Sequence, residues 1–255
     1  MTKQFLYKNI VFLGFVLFFI TKTHSQSLPI TSYGVWDRGA GVVDYSNPNS
    51  DFIKGIEISA NWDEIQPTGS TSWNFSLFQQ KLDLAVANDK LIRFSINVGP
   101  DCPSWLFTNG VPLVNVTIAP NSNQNYADRH PHYLDPEYKT FYYKLIEEFA
   151  SFLRNQPPEK FNHIAFVQVK TGATGDEEPY KGTVNNSIYE INSANWQLFR
   201  LEAFAKFKEY FNDVSNNKIV LTFNNVDPVD EPLAYNYVMN QLDPVLGFGI
   251  KGGAY

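Results

Sequence analysis

Short apolar, β-branched runs alternate with amphipathic helical stretches along most of this chain, and that alternation leaves few folds open. Phe52 to Ile58, Leu91 to Val98, His163 to Val169, Lys218 to Phe223 and Gly247 to Ile250 read as strands, with Ser32 to Gly41 as a first strand and its loop. Between them, Ser76 to Asn88, Pro136 to Asn155, Ser193 to Phe211 and Leu233 to Gln241 read as helices. In the second of these, Phe141, Leu145, Ile146, Phe149 and Leu153 share one face, Asp135 is placed to cap the start and Pro136 occupies the first helical position. Runs apolar on both faces suit a parallel sheet, and strand-helix alternation means right-handed βαβ units. No glycine-rich nucleotide fingerprint follows the first strand, so a dinucleotide fold is disfavoured. The pattern predicts an α/β protein, a (β/α)₈ barrel of which about six strands lie within this chain.

The first residues stand apart from that pattern. Lys3 and Lys8 precede a strongly apolar run, Ile10 to Ile20, which is short for a membrane span and gives way to polar Thr21 to Gln26. Residues 1–25 are expected to be a secretory signal peptide cleaved after Ser25, and 26–255 the barrel domain. No later stretch is apolar enough to cross a bilayer. The net charge of −6 argues against nucleic acid or an anionic membrane surface as a partner. Cys102 is the one cysteine, so no internal disulfide forms, and beside Pro103 it reads as a buried filler.

The chemistry concentrates in Phe161 to Gly182. A buried strand breaks into Thr171-Gly172-Ala173-Thr174-Gly175, where small residues permit a sharp turn, and then come Asp176, Glu177 and Glu178, closed by Pro179, Tyr180 and Lys181. Like charges this close raise the pKa of a core-directed member, which is how a carboxyl group stays an acid near neutral pH. Polar and aromatic residues also end strand after strand: Asp37, Trp62, Trp105, Glu177, Asn224 and Lys251. Barrel enzymes build their sites at that end. His130 and His132, separated by Pro131, have no clear carboxylate partner and make a poor metal site, so neither metal nor cofactor is expected.

Trp62-Asp63-Glu64-Ile65-Gln66-Pro67-Thr68-Gly69, followed by Trp73-Asn74-Phe75, resembles the W-x-x-I-E-P-x-x-G segment after the second barrel strand of clan A glycoside hydrolases, above all the β-galactosidase-like families. Pro103-Ser104-Trp105-Leu106 looks like the P-x-W-L loop after their third strand. In those families the fourth strand ends in Asn-Glu, whose Glu is the acid/base, and the seventh carries the nucleophile. Here Gly175-Asp176-Glu177 follows the fourth strand, so the Asn is replaced; a β-amylase-like alignment gives Asp176 the role instead.

The resemblance implies hydrolysis of β-glycosidic bonds in an oligo- or polysaccharide, with Glu177 or Asp176 as the general acid/base. Tyr180 and Lys181 would position or tune it. Trp62 and Trp105 would form platforms for sugar rings, and Asp37, Asn224 and Lys251 would contact substrate. The second carboxylate that such hydrolysis demands lies beyond Tyr255 in the family, so these residues alone are expected to be inactive; if it lies within the chain, Asp37 and Glu57 are the first places to look. The alternative is a non-catalytic glycan-binding protein that uses the same cleft. If the leader reading is right, the secreted product begins at or near Gln26 on N-terminal sequencing; recovery of Met1 in a membrane fraction would overturn it.

Overall fold

The computed structural model describes residues 34–38, 44–45, 47–118, 129–173, 178–224 and 229–241, and the backbone of 248–251. The expected signal peptide lies outside these residues, as do Asp176 and Glu177. Six strands form one sheet: β1 (Val35–Asp37), β2 (Ile53–Asn61), β3 (Leu91–Asn97), β6 (Ile164–Gln168), β8 (Val220–Asn224) and β9 (Phe248–Lys251). Each pairs in parallel with the next in that order. Sequential neighbours joined by helices are the topology of a (β/α) barrel, present here as an incomplete one. The strand expected to end at Ile58 continues through Ser59 and Ala60 to Asn61.

The outer face of the sheet is covered by α2 (Ser76–Ala87), α4 (Pro136–Arg154), α6 (Ser193–Phe211) and α7 (Pro232–Gln241). In α4 the Asp135 carboxylate accepts from the Glu137 and Tyr138 amides at 2.9 and 3.2 Å, the cap expected from the sequence. The helix buries Tyr138, Tyr142, Leu145, Ile146, Phe149 and Leu153, so the inward face is centred slightly away from Phe141, which is only partly buried. Tyrosine serves as a core residue here: the Tyr142 hydroxyl donates to the Lys170 carbonyl at 2.6 Å, tying α4 to the chain just beyond β6. Phe78 of α2 is fully buried, with its ring 4.8 Å from Phe94 of β3 and 5.5 Å from Phe149 of α4. The fully buried Arg200 of α6 pairs with Glu231 just before α7, which compensates a charge otherwise costly to bury.

The described residues between 107 and 136 also hold regular structure. Two short helices, α1 (Trp62–Ile65) and α3 (Trp105–Thr108), follow β2 and β3. Beyond α3, β4 (Leu113–Thr117) pairs antiparallel with both β5 (Arg129–Pro131) and β7 (Thr183–Val184), giving a second, three-stranded sheet. A partial signal was present in Val114-Asn115-Val116-Thr117, whose apolar-polar alternation matches its alternating exposure, while the apolar Leu113 before it is exposed. Phe78→Ala should cost about 3–5 kcal/mol, because one side chain is shared by α2, β3 and α4; denaturant unfolding with an unchanged midpoint would show that these layers do not pack as described.

Candidate active site at the carboxyl ends of the strands

The parallel register of β2 and β3 sorts their side chains into rungs. Ile56, Ile58 and Ala60 point to the helices and are buried. Gly55, Glu57, Ser59 and Asn61 point the other way, opposite Leu91, Arg93, Ser95 and Asn97. The lowest rung is apolar: the Trp36 ring lies so close over Gly55 that a Cβ there would sit 2.3 Å from it, and it packs 5.4 Å from Phe166. Above it Glu57 accepts from Arg93 at 2.8 Å, with Arg38 at 3.9 Å. Next, the Ser59 and Ser95 hydroxyls share a hydrogen bond of 2.6 Å. At the top, the Asn97 amide donates to the Asn61 side-chain oxygen at 2.8 Å.

Lys170, two residues past the end of β6, closes this ladder. Its ammonium donates to the Asn97 side-chain oxygen and, at 3.3 Å, to the Ser59 hydroxyl. On the neighbouring strand pair, Gln168 donates to Asn224 at 3.0 Å. The mouth is therefore a polar floor of amides, hydroxyls and one ammonium, able to hydrogen-bond a ligand dense in hydroxyl groups. Asp63, in α1 after β2, and Asp101, in the turn after β3, follow the two strand ends. Burial raises the pKa of both, reinforced at Asp63 by Glu64 and at Asp101 by Asp63, while Lys170 pulls Asp101 back down.

Directly after Lys170 the chain tightens. Thr171 is buried, and a Cβ on Gly172 would meet the Glu178 carbonyl at 2.3 Å and the Trp196 ring at 2.7 Å, so only glycine fits. The Ala173 amide donates to that same carbonyl at 3.0 Å. The two ends of the segment carrying Asp176 and Glu177 are thus fastened together beside the mouth.

The other expected site residues fare differently. Asn224 is in the mouth, and Lys251 ends β9, its side chain outside the described residues. Asp37 ends β1 and accepts from the Tyr45 hydroxyl; it does not pair with Arg38, which turns to Glu57. Lys181 pairs with Glu178 at 3.0 Å. Trp62 and Trp105 are not platforms. Trp62 is 0% exposed and Trp105 9%, and both are fastened to Gln66, the first through its side-chain oxygen at 2.9 Å and the second through its carbonyl at 2.7 Å. The two tryptophans clamp the loops after β2 and β3 to each other and leave no ring face for a sugar. Tyr180 is mostly buried as well, with its hydroxyl 3.1 Å from the His132 ring nitrogen, and its remaining surface faces a separate recess with Pro179 and Glu190. Among the described residues, no cluster of three metal-ligating side chains occurs. Sequence reasoning missed Ser59, Asn61, Ser95, Asn97, Gln168 and Lys170; the period-2 polar positions late in each strand were the signal that could have found them.

These side chains gather at the carboxyl ends of the parallel strands, the end at which barrel enzymes build their sites, and the solved structures agree on the fold. No family model matches the sequence, and no curated protein matches it. Among solved structures, a polyextremophilic β-galactosidase from the Antarctic haloarchaeon Halorubrum lacusprofundi superposes with a TM-score of 0.50 at 11% identity, over 87% of this chain and 40% of that one. A β-galactosidase from the psychrophilic Marinomonas ef1 gives 0.48 at 13%, over 83% and 38%. A GH10 xylanase from Bispora sp. MEY-1 gives 0.43 at 16%, over 86% and 60%. The chain shares its (β/α) barrel fold with the haloarchaeal β-galactosidase and spans about two fifths of the length of those two galactosidases.

Asp101 offers a check on the mouth. Its raised pKa means that folding favours the protonated form, so that contribution is fully present below the unfolded carboxyl's pKa and is lost as pH rises through the folded value. Lys170→Met should raise the Asp101 pKa further, read by carboxyl-carbon NMR titration; an unchanged titration would separate the two groups.

Proposed function

We propose that the protein is a secreted glycoside hydrolase acting on β-linked oligo- or polysaccharides, with Glu177 or Asp176 as the general acid after the fourth barrel strand. What carries the reading is the fastened base of that segment. Ala173 and Glu178, the described residues on either side of the segment that carries Asp176 and Glu177, are joined at 3.0 Å just beyond Lys170, whose ammonium is in the polar mouth. The fold and the β-glycosidase neighbours support the reaction class.

In this scheme Asn61, Asn97 and Asn224 bind sugar hydroxyls, with Lys170 holding the Asn97 oxygen so that the amide orientations are fixed. The acid protonates the glycosidic oxygen as the bond to the anomeric carbon breaks. A second carboxylate either attacks that carbon or activates water on the opposite face. Glu57 is ill suited to that role, because its two arginine partners keep it engaged one rung below the hydroxyl layer.

Assayed in the full polypeptide on β-linked substrates with poor leaving groups, Glu177→Gln or Asp176→Asn is expected to lower kcat on the order of 10²–10⁴-fold, and Glu178→Gln much less, since Glu178 is paired to Lys181. Wild-type rates in both variants would exclude this segment. Sugar binding with no turnover in the wild type would favour the glycan-binding alternative.

A further inference from the structure

A second recess opens on the same face, between the loops that follow β2 and β3. It encloses about 420 Å³ and is lined by Asp63, Pro67, Pro100, Cys102, Pro103, Ser104, Phe107 and Arg129. That volume is within the usual range for small-molecule sites, about 300–1,000 Å³. We propose that this recess is a subsite for a sugar residue bearing a carboxylate or sulfate group, with Arg129 binding the anion; the inference rests on the glycosidase reading and specifies its substrate class.

Three observations support it. Arg129 is exposed and its position is fixed from both sides: its backbone is paired through β5 to Asn115 of β4, and its guanidinium carbon stacks 5.2 Å above the Phe107 ring. A cation–π contact with the ring leaves guanidinium N–H groups for a ligand. Among the described residues no carboxylate pairs with it, whereas Arg38, Arg93 and Arg200 all have acidic partners. Such a fork matches the paired oxygens of a carboxylate or sulfate.

The remaining lining fits the rest of a sugar. Asp63 and Ser104 can accept hydrogen bonds from hydroxyls, and three prolines make walls that lose little freedom on binding. The Cys102 thiol, its pKa pushed up to about 12 chiefly by burial, adds no competing anion. The walls hang from the strands that end in Asn61 and Asn97, so one chain of sugars can occupy the mouth and this recess together.

The test is calorimetric titration of the chain with three tetrasaccharides of one length: a neutral β-linked galactotetraose, its sulfate ester and a tetrauronate. An acidic ligand is expected to bind about tenfold more tightly than the neutral one, with the advantage lost in Arg129→Gln and in about 1 M salt, where charges are screened within ~3 Å. Preference for one acidic ligand identifies the anion and supports the proposal. Because Arg129 is exposed, the variant should keep the wild-type melting temperature, and Phe107→Leu, which removes the stacking ring, should weaken the preference without abolishing it. Equal binding of neutral and acidic ligands, or an acidic preference that survives Arg129→Gln, overturns the subsite and leaves the glycosidase reading standing. Binding of none of the three overturns the subsite, while the glycosidase reading is decided by the turnover of β-linked substrates.

Discussion

The unbroken parallel register between β2 and β3, from Gly55 opposite Leu91 to Asn61 opposite Asn97, is the constraint on which the site depends. Side chains alternate strictly along a strand, so a one-residue slip would drive Glu57, Ser59 and Asn61 into the helical layer and Ile58 and Ala60 into the mouth. The register is held from the outside by Ile56, Ile58, Ile92, Phe94 and Ile96, which are buried against the helices. It is also held at the top, where Gln66 receives both tryptophan N–H groups and fastens the two following loops. Packing on one face of the sheet thereby positions the polar groups on the other.

That division explains why the same residues looked functional in the sequence and prove structural in the fold. A tryptophan after a barrel strand suggests a sugar platform, but Trp62 packs 5.9 Å from Tyr138 and 6.2 Å from Tyr142 of α4, in a core rich in aromatic rings. Large rings bury area efficiently, and each indole N–H here finds an acceptor, so nothing is lost by enclosing them. The tryptophans of the W-x-x-I-Q-P and P-S-W-L segments thus carry the fold and not the chemistry. The polar mouth is made by shorter side chains that no motif announces.

Much of the architecture was legible. The bounds of α6 match the expected helix at both ends, and α4 begins at its expected proline, because caps and 3.6-residue periodicity are local signals. The small sheet was not, since β4, β5 and β7 are short and pair with partners distant in sequence. The site was half legible: Asn224 lies where strand-end reasoning put it, while Lys170 becomes visible only once β6 is seen beside β3, which brings its ammonium to Asn97.

The central claim is that the carboxyl ends of β2, β3, β6 and β8 form a sugar-binding mouth. It is tested most directly by the position of a bound β-linked oligosaccharide in a crystal of the complex. The account predicts hydrogen bonds from the sugar to Asn61, Asn97 or Lys170, with Trp62 and Trp105 unmoved in the core. An oligosaccharide seated elsewhere, such as the groove between α4 and α6 beside Arg154 and Tyr210, with the mouth empty, would contradict it.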